Sequence, residues 1–129
     1  MSEAITLRIP RELRSPNAWL WRHWRVKQRE RSDWEAELMV ACVQRDRRHD
    51  FARRLVPFRR RVTVTRIVPS RRNFIRDDDN LRFAVKPLND ALKSKGLIYG
   101  DSRNYLEQPM PTQEVGPEYE TVIVIEAIP

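Results

Sequence analysis

Val122-Ile123-Val124-Ile125, four consecutive β-branched residues, sits at the centre of a segment running from Tyr119 to Ile128. A strand that is apolar on both faces needs cover on both, so this pattern predicts a strand lying inside a sheet. The chain offers partners for it. Ala4 to Ile9 alternates and stops at Pro10, and Arg61 to Val68 alternates, is rich in Val and Thr, and stops at Pro69-Ser70. A short piece from Asn104 to Gln108 is closed by Pro109 and Pro111. Ser15-Pro16-Asn17 has turn chemistry. Ser32 and Glu35 form a capping box, and Trp34, Leu38, Ala41 and Cys42 follow at helical spacing. This predicts a helix from about Ser32 to Arg47, with room to extend back toward Arg25. A second helix is expected from about Asp79 to Ser94, with an apolar stripe of Leu81, Ala84, Val85, Leu88 and Leu92 and a stop at Gly96. Pro87 either kinks that helix or marks a new one starting near Lys86. The class is α+β: one domain over 1–129, with a small mixed sheet of about four strands and two main helices.

The formal charge is +7, from 25 Lys plus Arg against 18 Asp plus Glu, with a pI near 10.3. That favours a polyanionic partner, nucleic acid before membrane, over the blander reading of a basic soluble protein. The charge is segregated. Gln44 to Arg61 holds eight arginines and two acids, whereas no Lys or Arg follows Arg103. The arginines from Arg45 to Arg61 read equally as phosphate contacts or as a solvated loop. No apolar run reaches membrane length and the N-terminus lacks a signal-peptide core, so the expectation is a cytoplasmic protein. Cys42 is the single cysteine; it has no partner for a disulfide or zinc cluster and reads as a small buried apolar residue. His23 and His49 lack metal-ligand spacing.

Against this basic background stands Arg76-Asp77-Asp78-Asp79-Asn80-Leu81, followed by Lys86, Asp90 and Gly100-Asp101. Massed carboxylates repel unless a cation lies between them, and hard oxygen donors suit magnesium or manganese. In an extended segment Asp77 and Asp79 share a side. On a helix, Asp79, Lys86 and Asp90 fall within roughly 40° of one another, opposite the apolar stripe. A solvated helix face explains Lys86 and Asp90 as an i,i+4 pair. Helix capping and the dipole are the competing account of the acids at the helix start, at about a kcal/mol or less each. A helix from Asn80 to Ser94 advances about 21 Å, and an extended return from Lys95 to Asp101 spans at most about 20 Å. Distance therefore permits Asp101 to join Asp77 and Asp79 but does not demand it. Arg71, Arg72 and Arg76 adjoin the acids and read as phosphate contacts. The aromatic-basic stretch from Trp19 to Lys27 reads either as a DNA grip, through stacking and Lys27, or as core.

Asp77, Asp79-Asn80-Leu81, Lys86, Asp90-Ala91-Leu92, Gly96 and Asp101 together resemble the signature of the RusA family of Holliday-junction resolvases (crossover junction endodeoxyribonucleases), small proteins common in prophages. The resemblance covers Arg76 to Asp101, about a fifth of the chain. It implies catalytic carboxylates at Asp77, Asp79 and Asp101 that ligate Mg²⁺, with Mn²⁺ as a substitute, and an essential Lys86. Beside these, Asn80 and Asp90 read as supporting residues, Asp90 as a structural partner that pairs with Lys86 and orients it. The resemblance also implies a RusA-like fold and a homodimer making paired symmetric incisions in four-way DNA junctions during recombination and repair. Where the family carries two adjacent acids, this chain has Gly100-Asp101. Two other readings are a non-catalytic basic DNA-binding module, and a nuclease of the same chemistry acting on other branched DNA.

Overall fold

The computed structural model describes residues 4–20, 23–45 and 58–129. Its elements are β1 (Ala4–Ile9), α1 (Trp24–Arg45), β2 (Arg60–Val68), α2 (Asp78–Phe83), α3 (Lys86–Ser94), β3 (Leu106–Glu107), β4 (Thr112–Val115) and β5 (Glu120–Ala127). Short 3₁₀ turns occupy Pro16–Ala18 and Arg71–Asn73. The five strands form one mixed sheet, and the α+β class with two main helical segments stands. β5 is antiparallel to β1 on one side and to β2 on the other, so both of its edges are hydrogen-bonded, as its apolar run requires. Ile123 lies opposite Leu7 and Val64, and Ile125 opposite Val62. The expected double-sided burial is met on one face only. Thr121, Ile123 and Ile125 are buried, while Val122 and Val124 on the other face remain half-buried, because both long helical segments pack on the same side.

The far edge of β2 carries two short parallel strands in tandem. β3 pairs at Arg60–Arg61 and β4 at Thr65–Val68, with Pro109 and Pro111 in the gap. The sequence reading omitted β4. Its Thr-Gln-Glu-Val is weakly apolar and becomes a strand through its pairing with β2.

α1 takes the extended form that the sequence leaves open, reaching back past Arg25 rather than starting at Ser32. The helix begins at Trp24, and Ser32 is an exposed residue in its interior. Lys27 to Arg31 are all good helix formers and carry the helix through. The amide of Arg25 donates to the Nδ1 of His23 instead, at 3.2 Å. Of the basic segment Asp46 to Arg59, residues 46–57 lie outside the described residues, as do Trp21 and His49. Just beyond it, Arg60 is buried and Arg61 pairs with Glu107 and Glu126, so these two belong to the framework of β2.

Leu7, Ile9, Val62, Val64, Ile123 and Ile125 of the sheet meet Trp34 and Leu38 of α1 and Leu88, Ala91 and Leu92 of α3 in one core. Truncating Leu88 or Leu92 to Ala should cost about 2–5 kcal/mol. Cys42 packs half-buried against this core, and burial pushes its thiol above its ordinary range. The connection from β2 to β3 crosses this core as α2 and α3, and every residue of the acidic motif rides on it.

Candidate functional site

Asp77 ends the extended approach and caps α2. Its Oδ1 accepts from the amides of Asp79 (2.8 Å) and Asn80 (3.2 Å). Asp78 and Asp79 fill the first turn, where acids complement the exposed N–H groups. Asp77 to Asp79 are all exposed, and apart from the capping oxygen their carboxylates have no hydrogen-bond partner among the described residues. α2 closes at Phe83. A new helix then starts at Lys86 with Pro87 in its first turn, where a missing N–H costs nothing. Of the two outcomes that Pro87 allowed, the chain takes the second.

Lys86 is the centre of the arrangement. Its Nζ donates to Asp90 Oδ1 at 3.0 Å, the expected i,i+4 pair, and to Asp101 Oδ2 at 3.1 Å. Asp101 is brought back by local devices. Gly96, with φ of 75°, reverses the chain in the left-handed region that a side chain resists. The Gly96 amide donates to Lys93 and that of Leu97 to Leu92, a helix-ending pattern. Leu97 and Ile98 then anchor in the core. Further on, Asn89 and Gln108 exchange amide hydrogen bonds of 2.8 and 3.0 Å, tying the following segment to α3. Gly100 is buried under the ring of Tyr105, which would lie 3.1 Å from any added Cβ. A side chain at position 100 would therefore need that ring to give by a few tenths of an ångström, and this is the position where the resembled signature carries its extra carboxylate.

The electrostatics follow the geometry. Lys86 is held above its ordinary value, chiefly by its hydrogen bond to Asp90, which outweighs the opposing desolvation, with the Asp101 hydrogen bond adding to it. Asp101 is held below its ordinary value, chiefly by the Lys86 hydrogen bond. Lys86 and Asp101 therefore stay oppositely charged across the neutral range.

Asp77, Asp79 and Asp101 offer the hard oxygens a divalent cation takes, and each keeps at least one oxygen without a hydrogen bond from another described residue. Among the described residues, however, no three Asp, Glu, His or Cys side chains stand together as one metal-holding group. Asp101 is engaged by Lys86, and Asp79 lies in the first turn of α2, a separate helix from the one that carries Lys86.

The basic residues divide between two clefts. Arg71 and Arg76 line an open cleft of about 780 Å³ with Phe74, Ile75 and Gln113, and Arg72 is exposed beside it. Lys27 lies elsewhere, in a groove that also contains Lys86 and Asp90. Sequence reasoning missed what fixes the first cleft. Gln113 of β4 accepts from the Ile75 amide and donates to the Ile75 carbonyl, both at 2.9 Å. Arg66, 3 % exposed, donates to the carbonyls of Leu13 and Asn73 and to Glu12 and Gln113. Its inward position in the alternation of β2 was the available signal, since Arg66 falls in phase with Val62, Val64 and Val68. Of the tryptophans, Trp19 and Trp34 are buried and Trp24 is exposed.

No protein-family model matches the chain, and no curated protein matches it significantly. No described helix is long and apolar enough to cross a membrane.

Proposed function

We propose that the chain is a metal-dependent endodeoxyribonuclease acting on branched DNA, with the four-way junction as its substrate and a two-fold dimer as its working form. The observation that carries this reading is the Lys86 ammonium joined to both Asp90 and Asp101, which brings the far acid of the motif back to its lysine on the same connection that carries Asp77 to Asp79. Arginines exposed beside the motif and the +7 charge support a phosphate-rich substrate. The resemblance of Arg76 to Asp101 to junction resolvases supports the choice of junction.

Asp77, Asp79 and Asp101, which do not stand together as one group among the described residues, are the carboxylates that Mg²⁺ would have to draw together. When bound, the ion supplies an acidified, oriented water and positive charge for the phosphate. The chain's own groups do the rest. Lys86, already charged and oriented by Asp90, turns its remaining N–H toward a phosphate oxygen and stabilises the charge that develops there. Arg71, Arg72 and Arg76 hold the flanking phosphates. Asp77 fixes the start of α2, so that Asp79 is presented on a rigid turn. A symmetric dimer supplies the second, equivalent site that paired incision requires.

The test is incision of end-labelled four-way junctions, replication forks, flaps and linear duplex at one salt concentration, with Mg²⁺ and with EDTA. Paired symmetric cuts in the junction, only with Mg²⁺, are expected. Equal cutting of forks and flaps would shift the substrate to branched DNA in general. Binding without cutting would leave a DNA-binding module.

A further inference from the structure

A groove of about 310 Å³ opens between the first half of α1 and the α2–α3 junction. That volume is at the lower end of the range for small-ligand sites. Its floor is aromatic: the rings of Trp19 and Phe83 stack with centroids 5.6 Å apart and planes 19° apart. Trp19 is 5 % exposed, whereas Phe83, at the end of α2, is 43 % exposed. Above this floor stand two cations of α1, Lys27 and Arg31, while Lys86 of α3, also in the wall, is held by Asp90 and Asp101. Lys27 has no ion-pair partner among the described residues, and Arg31 has only a 3.9 Å contact with Glu35. The one carboxylate in the wall, Asp90, is already bonded by Lys86.

A pre-stacked aromatic floor under a rim of cations suits a ligand with a flat π-face and an attached phosphate. A purely apolar partner would leave the cations unmatched, and a simple anion would leave the rings unused. We propose that this groove takes one unpaired nucleotide of the DNA strand, with its base against the open part of Phe83 and its phosphate toward Lys27 and Arg31. The identity of the strand as a substrate rests on the nuclease reading. The recognition itself requires no cleavage.

The probe is a pair of fluorescent single-stranded oligonucleotides of equal length, one bearing bases and the other fully abasic, so that their phosphates match. Their binding is measured by anisotropy in metal-free buffer at one salt concentration. The base-bearing strand is expected to bind about 10-fold more tightly. Phe83→Leu should reduce that preference to less than about 2-fold and leave abasic affinity unchanged, and Lys27→Ala should weaken both strands alike. Phe83→Tyr, which keeps a ring, should retain the preference and guards against a misfolded leucine variant. Equal binding of the two strands by the native protein, or a preference that survives in a folded Phe83→Leu protein, would overturn the proposal. A base preference in a protein that fails to incise junctions supports the groove and removes the nuclease reading. Incision with no base preference does the reverse.

Discussion

Arg66 and Lys86 are two cations that each tie distant segments together, and they do so under opposite conditions. Arg66 points into the inner face of β2 and is 3 % exposed, with burial lowering its pKa. Its donors go to backbone carbonyls of Leu13 and Asn73 and to Glu12 and Gln113, all in fixed positions. Lys86 is 46 % exposed, its partners are two carboxylates near the surface, and they raise its pKa. Removing a buried guanidinium with four hydrogen bonds leaves several part-buried partners without their donor, whereas removing an exposed ammonium leaves its partners to water. One cation therefore serves the fold and the other is available for chemistry. They are linked, because Arg66 and Gln113 fix the Arg71–Arg76 segment that leads into the acidic turn.

The sharpest way to break this contrast is Arg66→Met. It should lower unfolding free energy by about 3 kcal/mol, read from urea melts, because it leaves Glu12 and two carbonyls without their donor. A loss below about 1 kcal/mol would remove the distinction. Lys86→Ala should do the opposite, changing stability by less than about 1 kcal/mol while reducing junction incision about 10²-fold. Asp90→Asn, which disturbs only the orientation of Lys86, should reduce incision by less than about 10-fold. Equal losses from Lys86→Ala and Asp90→Asn in folded proteins would make both residues structural.

The difference between these two sites also explains what could be read in advance. β1, β2 and β5 were legible to within about two residues, because alternation against one covered face is written directly in the sequence. The Lys86–Asp90 pair was legible because it is local to one helix turn. The start of α1 was legible only as a choice between Ser32 and an extension toward Arg25, since Ser32 and Glu35 mimic a cap that the helix-forming Lys27–Arg31 run overrides. β4, the Arg66 network and the Trp19–Phe83 stack depend on which distant segments meet, and no spacing in the chain specifies that. Asp101 lies between these cases. Chain geometry permitted its approach to the motif, and the turn at Gly96 with the anchoring of Leu97 and Ile98 delivered it to Lys86.

A smaller effect sharpens the electrostatic side. A carboxylate whose folded pKa is depressed adds stability above its unfolded pKa and loses it as pH falls through the folded value. For Asp101 that loss lies below its ordinary 3.8. Lys86, raised above 10.5, keeps its contribution until pH rises through its folded value. The link should thus be intact from pH 4 to pH 10. Carboxyl NMR titration should place the Asp101 midpoint below the ordinary value in the native protein and return it toward that value in Lys86→Met. An unchanged midpoint would show that the contact carries no electrostatic weight in solution.

The most direct test of the central claim compares Asp79→Asn with the native protein on a labelled four-way junction, in Mg²⁺, at protein concentrations that saturate the DNA. Asp79 makes no side-chain contact that supports the fold among the described residues, so the variant should fold and bind the junction with unchanged or slightly higher affinity. Its incision rate should fall at least about 10²-fold, as expected for loss of a group acting on the transition state. Near-native incision by Asp79→Asn at saturating magnesium would contradict the assignment of the acidic motif as the catalytic centre.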